Sequence, residues 1–121
     1  MLEFGLVEGI IETVRERAGD RPVARVKVRI GTLHRAPNGP MEQAFEMVGA
    51  GTVVEGATLE LVQMPVTSTC RDCGRVSSSD EMVLLCPGCD GTFIVYSGGD
   101  ELLLESIEYR HPPAIVAPAL G

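Results

Sequence analysis

This chain of 121 residues has no tryptophan and only two tyrosines and three phenylalanines, which leaves little material for stacking on bases. It is also short of positive charge: ten Lys and Arg stand against seventeen Asp and Glu, for a formal net charge of −7. That balance argues against non-specific nucleic-acid binding through the phosphate backbone. No apolar run is long enough to span a membrane, and nothing at the N-terminus reads as a secretory signal. The chain is therefore expected in the cytoplasm, with its thiols reduced. The phosphate loop G-x-x-x-x-G-K-[ST], H-E-x-x-H and G-x-S-x-G are all missing. The acidic pairs Asp80-Glu81 and Asp100-Glu101 read as solvated turns, with no neighbour to raise one pKa. A non-catalytic protein is expected.

All four cysteines stand in one stretch, Thr69 to Gly91. They form two C-x-x-C pairs, Cys70/Cys73 and Cys86/Cys89, separated by twelve residues. Two such turns bring four thiolates onto one ion in a tetrahedral site, the arrangement Zn²⁺ favours. Iron or an iron–sulfur centre is chemically allowed by the same ligands. A pair of disulfides fits a reducing compartment poorly, and a thioredoxin-like motif needs only one pair. Gly74, and Asp90 with Gly91, follow the two pairs as turn formers, and Pro87 sits inside the second. Four protein thiolates leave no open coordination position, so the zinc is expected to be structural.

Along the rest of the chain, residues 2–18 read as an amphipathic helix with Leu2, Leu6, Val7, Ile10, Ile11 and Val14 on one face. Residues 23–33 alternate, Ala24, Val26, Val28 and Ile30 opposing Arg25, Lys27 and Arg29, as in a strand with one buried face. The basic row is the chain's only positive stripe. Residues 34–40 form a loop carrying His34, a candidate ligand. A second helix is expected from Pro40 to Ala50, with Met41, Ala44, Phe45 and Val48 on one face and core packing accounting for both Met41 and Met47. Residues 57–66 form a strand ended by Pro65, and 93–96 and 102–109 are strands joined by the turn Ser97–Asp100. His111 lies in a Pro- and Ala-rich tail with no period and takes no role.

The expected fold is α+β: a small three-stranded mixed sheet with two helices on one face and an inserted zinc-ribbon module. The division is 1–66 plus 97–110 for the α/β domain, 67–96 for the ribbon, and 111–121 as a disordered tail.

This arrangement resembles the HypA/HybF family, the nickel-delivery accessory proteins of nickel–iron hydrogenase maturation. The likeness runs to about Arg110. It is carried by the short helix opening Met1-Leu2-Glu3, the V-x-V-x-I-G strand (Val26 to Gly31), Ala44-Phe45-Glu46, E-G-A-x-L-E (Glu55 to Glu60), the two cysteine pairs, and S-G-G-D-E-L (Ser97 to Leu102). The resemblance implies structural zinc on Cys70, Cys73, Cys86 and Cys89. It also implies nickel handling through protein partners, a maturation GTPase and the hydrogenase large subunit, and leaves homodimerisation open. The pattern breaks at position 2. The family opens Met-His-Glu and builds its nickel site from the N-terminal amine, the histidine imidazole and main-chain amides. Here only the main-chain nitrogens of Met1, Leu2 and Glu3 remain, so nickel binding there is expected to be greatly weakened. The alternative is a diverged, non-nickel zinc-ribbon interaction module.

Overall fold

The computed structural model describes residues 2–110; Met1 and the tail 111–121, with His111 and the expected disorder, lie outside the described residues. The chain runs α1 (Leu2–Ala18), β1 (Val23–Gly31), a 3₁₀ turn (Thr32–His34), α2 (Asn38–Gly49), β2 (Thr58–Met64), β3 (Val66–Cys70), β4 (Val76–Ser79), β5 (Ile94–Ser97) and β6 (Leu102–Tyr109). Two three-stranded sheets result, ordered β2-β1-β6 and β4-β3-β5. The first is mixed, because β2 runs parallel to β1 and β6 antiparallel to it. The second is wholly antiparallel.

The α+β architecture follows from two periodicities. Val26, Val28 and Ile30 are at most 1% exposed and share one face of β1, as the two-residue repeat of a strand requires. Val7, Ile10, Ile11, Val14 and Ala18 form the buried stripe of α1, and Met41, Ala44, Phe45 and Gly49 that of α2. These faces meet in one core, joined by Leu59 and Leu61 of β2. Both helices thus cover one face of the first sheet. Met47 was expected in that core but is 65% exposed. At 3.6 residues per turn it lies about 120° around the helix from Met41.

Four further expectations are corrected. At the start of β1 it is Val23, not Ala24, that is fully buried, because the pairing with β6 slips between Val23 and Arg25. The extra residue rotates Ala24 off the core face. The strand expected over 23–33 stops at Gly31, where the chain tightens into the 3₁₀ turn. The second helix begins at Asn38, with Pro37 as its cap and Pro40 inside the first turn, where no intrahelical N–H partner is needed. The turn Ser97–Asp100 joins strands of different sheets and is not a hairpin.

The basic row of β1 is neutralised in place. Arg25 pairs with Glu60 at 2.5 Å, Lys27 with Glu105 at 3.2 Å, and Arg29 also with Glu105. A second slip in register, between Lys27 and Val28, adds Glu105 as the unpaired residue of β6, so one carboxylate serves two cations. Its carboxyl group is held below the ordinary range by its hydrogen bond from Arg29, then by that from Lys27.

The ribbon sheet leaves the mixed sheet at Pro65 and returns through Ser97–Glu101. The return crosses β1 at backbone contact: the Gly31 N–H donates to the Glu101 carbonyl and the Leu33 N–H to the Gly99 carbonyl, both at 2.8 Å. A β-carbon on Gly31 would stand 2.0 Å from the Gly99 carbonyl carbon and oxygen, so only glycine fits. Gly99 itself has φ +85° and faces Val66.

Candidate metal centre

Each cysteine pair sits in a turn built the same way. In the first, the Cys70 N–H donates to the Arg75 carbonyl (2.9 Å) and the Gly74 N–H to the Cys70 carbonyl (2.8 Å). In the second, the Cys86 N–H donates to the Gly91 carbonyl and the Asp90 N–H to the Cys86 carbonyl, both at 2.9 Å. The fourth residue after the leading cysteine is left-handed in both: Gly74 at φ +80° and Asp90 at φ +61°. Glycine has no penalty there, and aspartate is among the few other residues that tolerate it. β3 delivers Cys70 at its last residue, and an Arg71 N–H to Phe93 carbonyl bond (2.9 Å) carries the β3–β5 pairing past it. The second turn hangs between β4 and β5, steadied by Tyr96, whose hydroxyl donates to the Val83 carbonyl at 2.5 Å.

The two turns bring all four thiols together. Every Sγ lies within 4.8 Å of the other three. Cys70 and Cys89 are 3.7 Å apart, and Cys73 and Cys86 3.6 Å. A regular tetrahedron with Zn–S bonds of about 2.3 Å has edges of about 3.8 Å, so the donor set fits a tetrahedral thiolate-bound ion. A disulfide needs about 2.05 Å between sulfurs, and all four cysteines are free. Cys70 and Cys86 are buried and Cys73 and Cys89 exposed.

The thiols also show why they need a cation. The Gly88 N–H donates to the Cys86 sulfur at 3.3 Å. That bond, reinforced by the Cys89 N–H and the neighbouring thiols against the cost of burial, lowers Cys86 to about 7. At Cys89 the Gly91 N–H pulls down, but the Cys73 and Cys70 thiols, burial and Cys86 together push it up to about 12. At Cys73 the downward pull of the Arg75 N–H is likewise outweighed, chiefly by Cys86. One thiolate forms readily and its charge opposes the rest. A divalent cation reverses that opposition, so ion binding releases protons.

The other sequence-predicted positions do not join this cluster. Leu2 and Glu3 occupy the first turn of α1, where amide N–H groups have no intrahelical acceptor. The Glu3 carboxyl is held below its ordinary value, first by its own backbone N–H. His34 closes the 3₁₀ turn, with Nε2 donating to the Asp100 carbonyl at 3.0 Å. It is a brace on the crossing between the sheets. Sequence reasoning missed that role, and missed the Gly88 N–H bond to sulfur. The paired left-handed positions were legible in Gly74 and Asp90.

Comparison with known proteins agrees with this geometry. The sequence model described as "Hydrogenase/urease nickel incorporation, metallochaperone, hypA" matches residues 1–109. The hydrogenase maturation factor HypA of Rhodobacter capsulatus is 33% identical over 111 residues, spanning 89% of this chain and 98% of that protein. The corresponding protein of Nitrosospira multiformis is 36% identical over 111 residues, spanning 89% and 96%. Among solved structures, the solution structure of the nickel metallochaperone HypA from Helicobacter pylori superposes with a TM-score of 0.58 at 26% identity, covering 88% of this chain and 96% of that one. With the fold, the four-thiol cluster and the match all running over the same residues, the chain belongs to the HypA family.

Proposed function

We propose that this protein is a non-catalytic accessory factor in the maturation of a nickel-iron hydrogenase, assisting nickel insertion through protein partners while a structural zinc holds its ribbon closed. The observation that carries the reading is the match of residues 1–109 to the nickel-incorporation family, which spans both sheets and all four cysteines. Zinc is the resident ion on this reading, held by Cys70, Cys73, Cys86 and Cys89, because a tetrahedral set of four sulfurs suits it best. Four thiolates leave no coordination position for a substrate, so the ribbon stabilises and does not catalyse. The membership of β1, β2 and β6 in one sheet and β3, β4 and β5 in the other supports a two-unit division close to 1–66 plus 97–110 and 67–96. Thiols kept ready for an ion suit the cytoplasm, and the partners in view are a maturation GTPase and the hydrogenase large subunit.

Nickel is cargo, and position 2 decides how it is held. An amine alone is a weak anchor at neutral pH, and deprotonated amides bind only once an anchor holds the metal. With Leu2 in place of histidine, the nitrogens of Met1, Leu2 and Glu3 give a much weaker site. His34 is no ready substitute, since its Nε2 is engaged with Asp100. That substitution favours a second reading, a diverged scaffold that keeps the zinc and its partners but not the nickel.

Calorimetric nickel titration of zinc-loaded protein with a native N-terminus, beside a Leu2→His variant, separates the two. Wild-type binding of one Ni²⁺ at micromolar affinity, about −8 kcal/mol, supports delivery by this chain. Binding only by Leu2→His supports the scaffold. Binding by neither, together with failure of the purified chain to associate with a maturation GTPase, defeats both.

A further inference from the structure

The mixed sheet is guarded unevenly. Its order β2-β1-β6 makes β6 an outer strand, and among the described residues nothing pairs with its far edge. Exposed edges are ordinarily protected by charge, proline or a bulge. β6 carries those devices only in its second half, where Glu105 bulges and is drawn across to Lys27 and Arg29. Its first half is Leu102-Leu103-Leu104, with Leu102 46% and Leu103 57% exposed.

Leu102 and Leu104 pair with Ile30 and Val28 and so point toward the helices, where Leu104 packs partly buried against the core while Leu102 stays open. A groove of about 400 Å³ remains between α1 and β6, with Ile10, Val28 and Leu104 in its lining. On the helix side stands Gly9, where a β-carbon would meet nothing within 4 Å, so a second chain has room to approach the backbone. In a protein with seventeen acids, no acid lines this groove. Its one charged lining residue is Arg17, which makes no ion pair among the described residues.

We propose that the first half of β6, with this groove, docks an extended segment of a partner protein that adds a strand to the sheet, inserts alternate apolar side chains beside α1, and presents a carboxylate to Arg17. Free main-chain groups supply the pairing, and the alternation of a strand sends every second side chain into the groove. The charge balance of the lining selects an anionic segment over a cationic one. This surface is separate from the thiol cluster and does not depend on whether the chain binds nickel.

The test uses full-length, zinc-loaded, ¹⁵N-labelled protein titrated with an acetylated peptide that alternates Val and Thr and ends in Glu. Saturable shifts are expected in the amides of Leu102 to Glu105. Arg17→Glu, an exposed change that leaves the core intact, weakens binding about tenfold, and a peptide ending in Lys restores it. Leu102→Asp abolishes binding, as does N-methylation of the peptide's pairing amides. Absence of saturable shifts, or shifts indifferent to Arg17→Glu, overturns the proposal. So does tighter peptide binding by a chain ending at Arg110, which assigns the groove to the protein's own C-terminal segment. A concentration-dependent dimer dispersed by Leu103→Asp overturns it in favour of a second copy of this chain.

Discussion

Replacing Gly31 by alanine adds one methyl group at the tightest point of the molecule. Its carbon would lie 2.0 Å from the carbonyl carbon and oxygen of Gly99 and 2.5 Å from the Asp100 nitrogen. All three are main-chain atoms, so no side chain can swing aside. Restoring a contact of about 3.4 Å requires the return crossing to move by about 1.4 Å. Two hydrogen bonds of 2.8 Å, Gly31 N–H to Glu101 and Leu33 N–H to Gly99, do not survive that shift. A lost bond that leaves partly buried groups unpaired costs about 1–3 kcal/mol, so the loss of two in Gly31→Ala is expected to cost about 2–6 kcal/mol in total. Urea unfolding followed by circular dichroism measures it, with the midpoint falling and the slope unchanged. Gly9→Ala is the internal control. The same methyl group on α1 meets nothing within 4 Å and removes a helix-interior glycine, so it should stabilise by up to about 1 kcal/mol. Zinc content should be unchanged in both, because the turns that gather the thiols close their own hydrogen bonds within residues 70–91. If Gly31→Ala costs less than about 0.5 kcal/mol, the crossing is not the rigid joint described above.

Other consequences follow from the same geometry. Asp90→Gly relieves a left-handed residue at the position its twin turn fills with Gly74, and should tighten zinc retention against a chelator and stabilise by about 1 kcal/mol; faster zinc loss would refute the turn equivalence. Stripping the ion with a chelator should remove hydrogen-exchange protection from β3, β4 and β5 while β1 and β2 keep theirs, since the larger core draws on the first sheet, its helices and their loops and on no residue of the second sheet. Glu105 has a lowered folded pKa, so its pairing contributes stability that is fully present above the ordinary glutamate range and is lost as pH falls through the lowered value. Glu105→Gln should accordingly be less stable than wild type at neutral pH and show a shallower decline on acidification below about pH 4; a parallel decline in the two proteins would remove Glu105 from the account.

How much of this was legible without a structure depends on the range of the interactions involved. The helix over 2–18, the faces of β1 and α2, the stop at Pro65 and the four-cysteine cluster are local. Each is written in a repeat of two or 3.6 residues, a missing N–H, or a fixed ligand spacing, and the chain meets each whichever way it folds beyond. The absence of a histidine at position 2 is likewise a fact of the sequence alone. Tertiary structure decided what those pieces are for. The basic row of β1 reads as a positive stripe until Glu60 and Glu105 arrive on neighbouring strands, brought there by pairings 35 and 76 residues distant. His34 reads as a ligand candidate until the Asp100 carbonyl, 66 residues on, takes its Nε2. Gly98-Gly99 reads as a hairpin turn, yet Gly31 and Gly99 meet as the joint between two sheets. A one-residue slip in register moves a side chain to the opposite face, which is why Val23 displaced Ala24 from the core. Such contacts depend on which strand lies beside which, and only the folded chain sets that order.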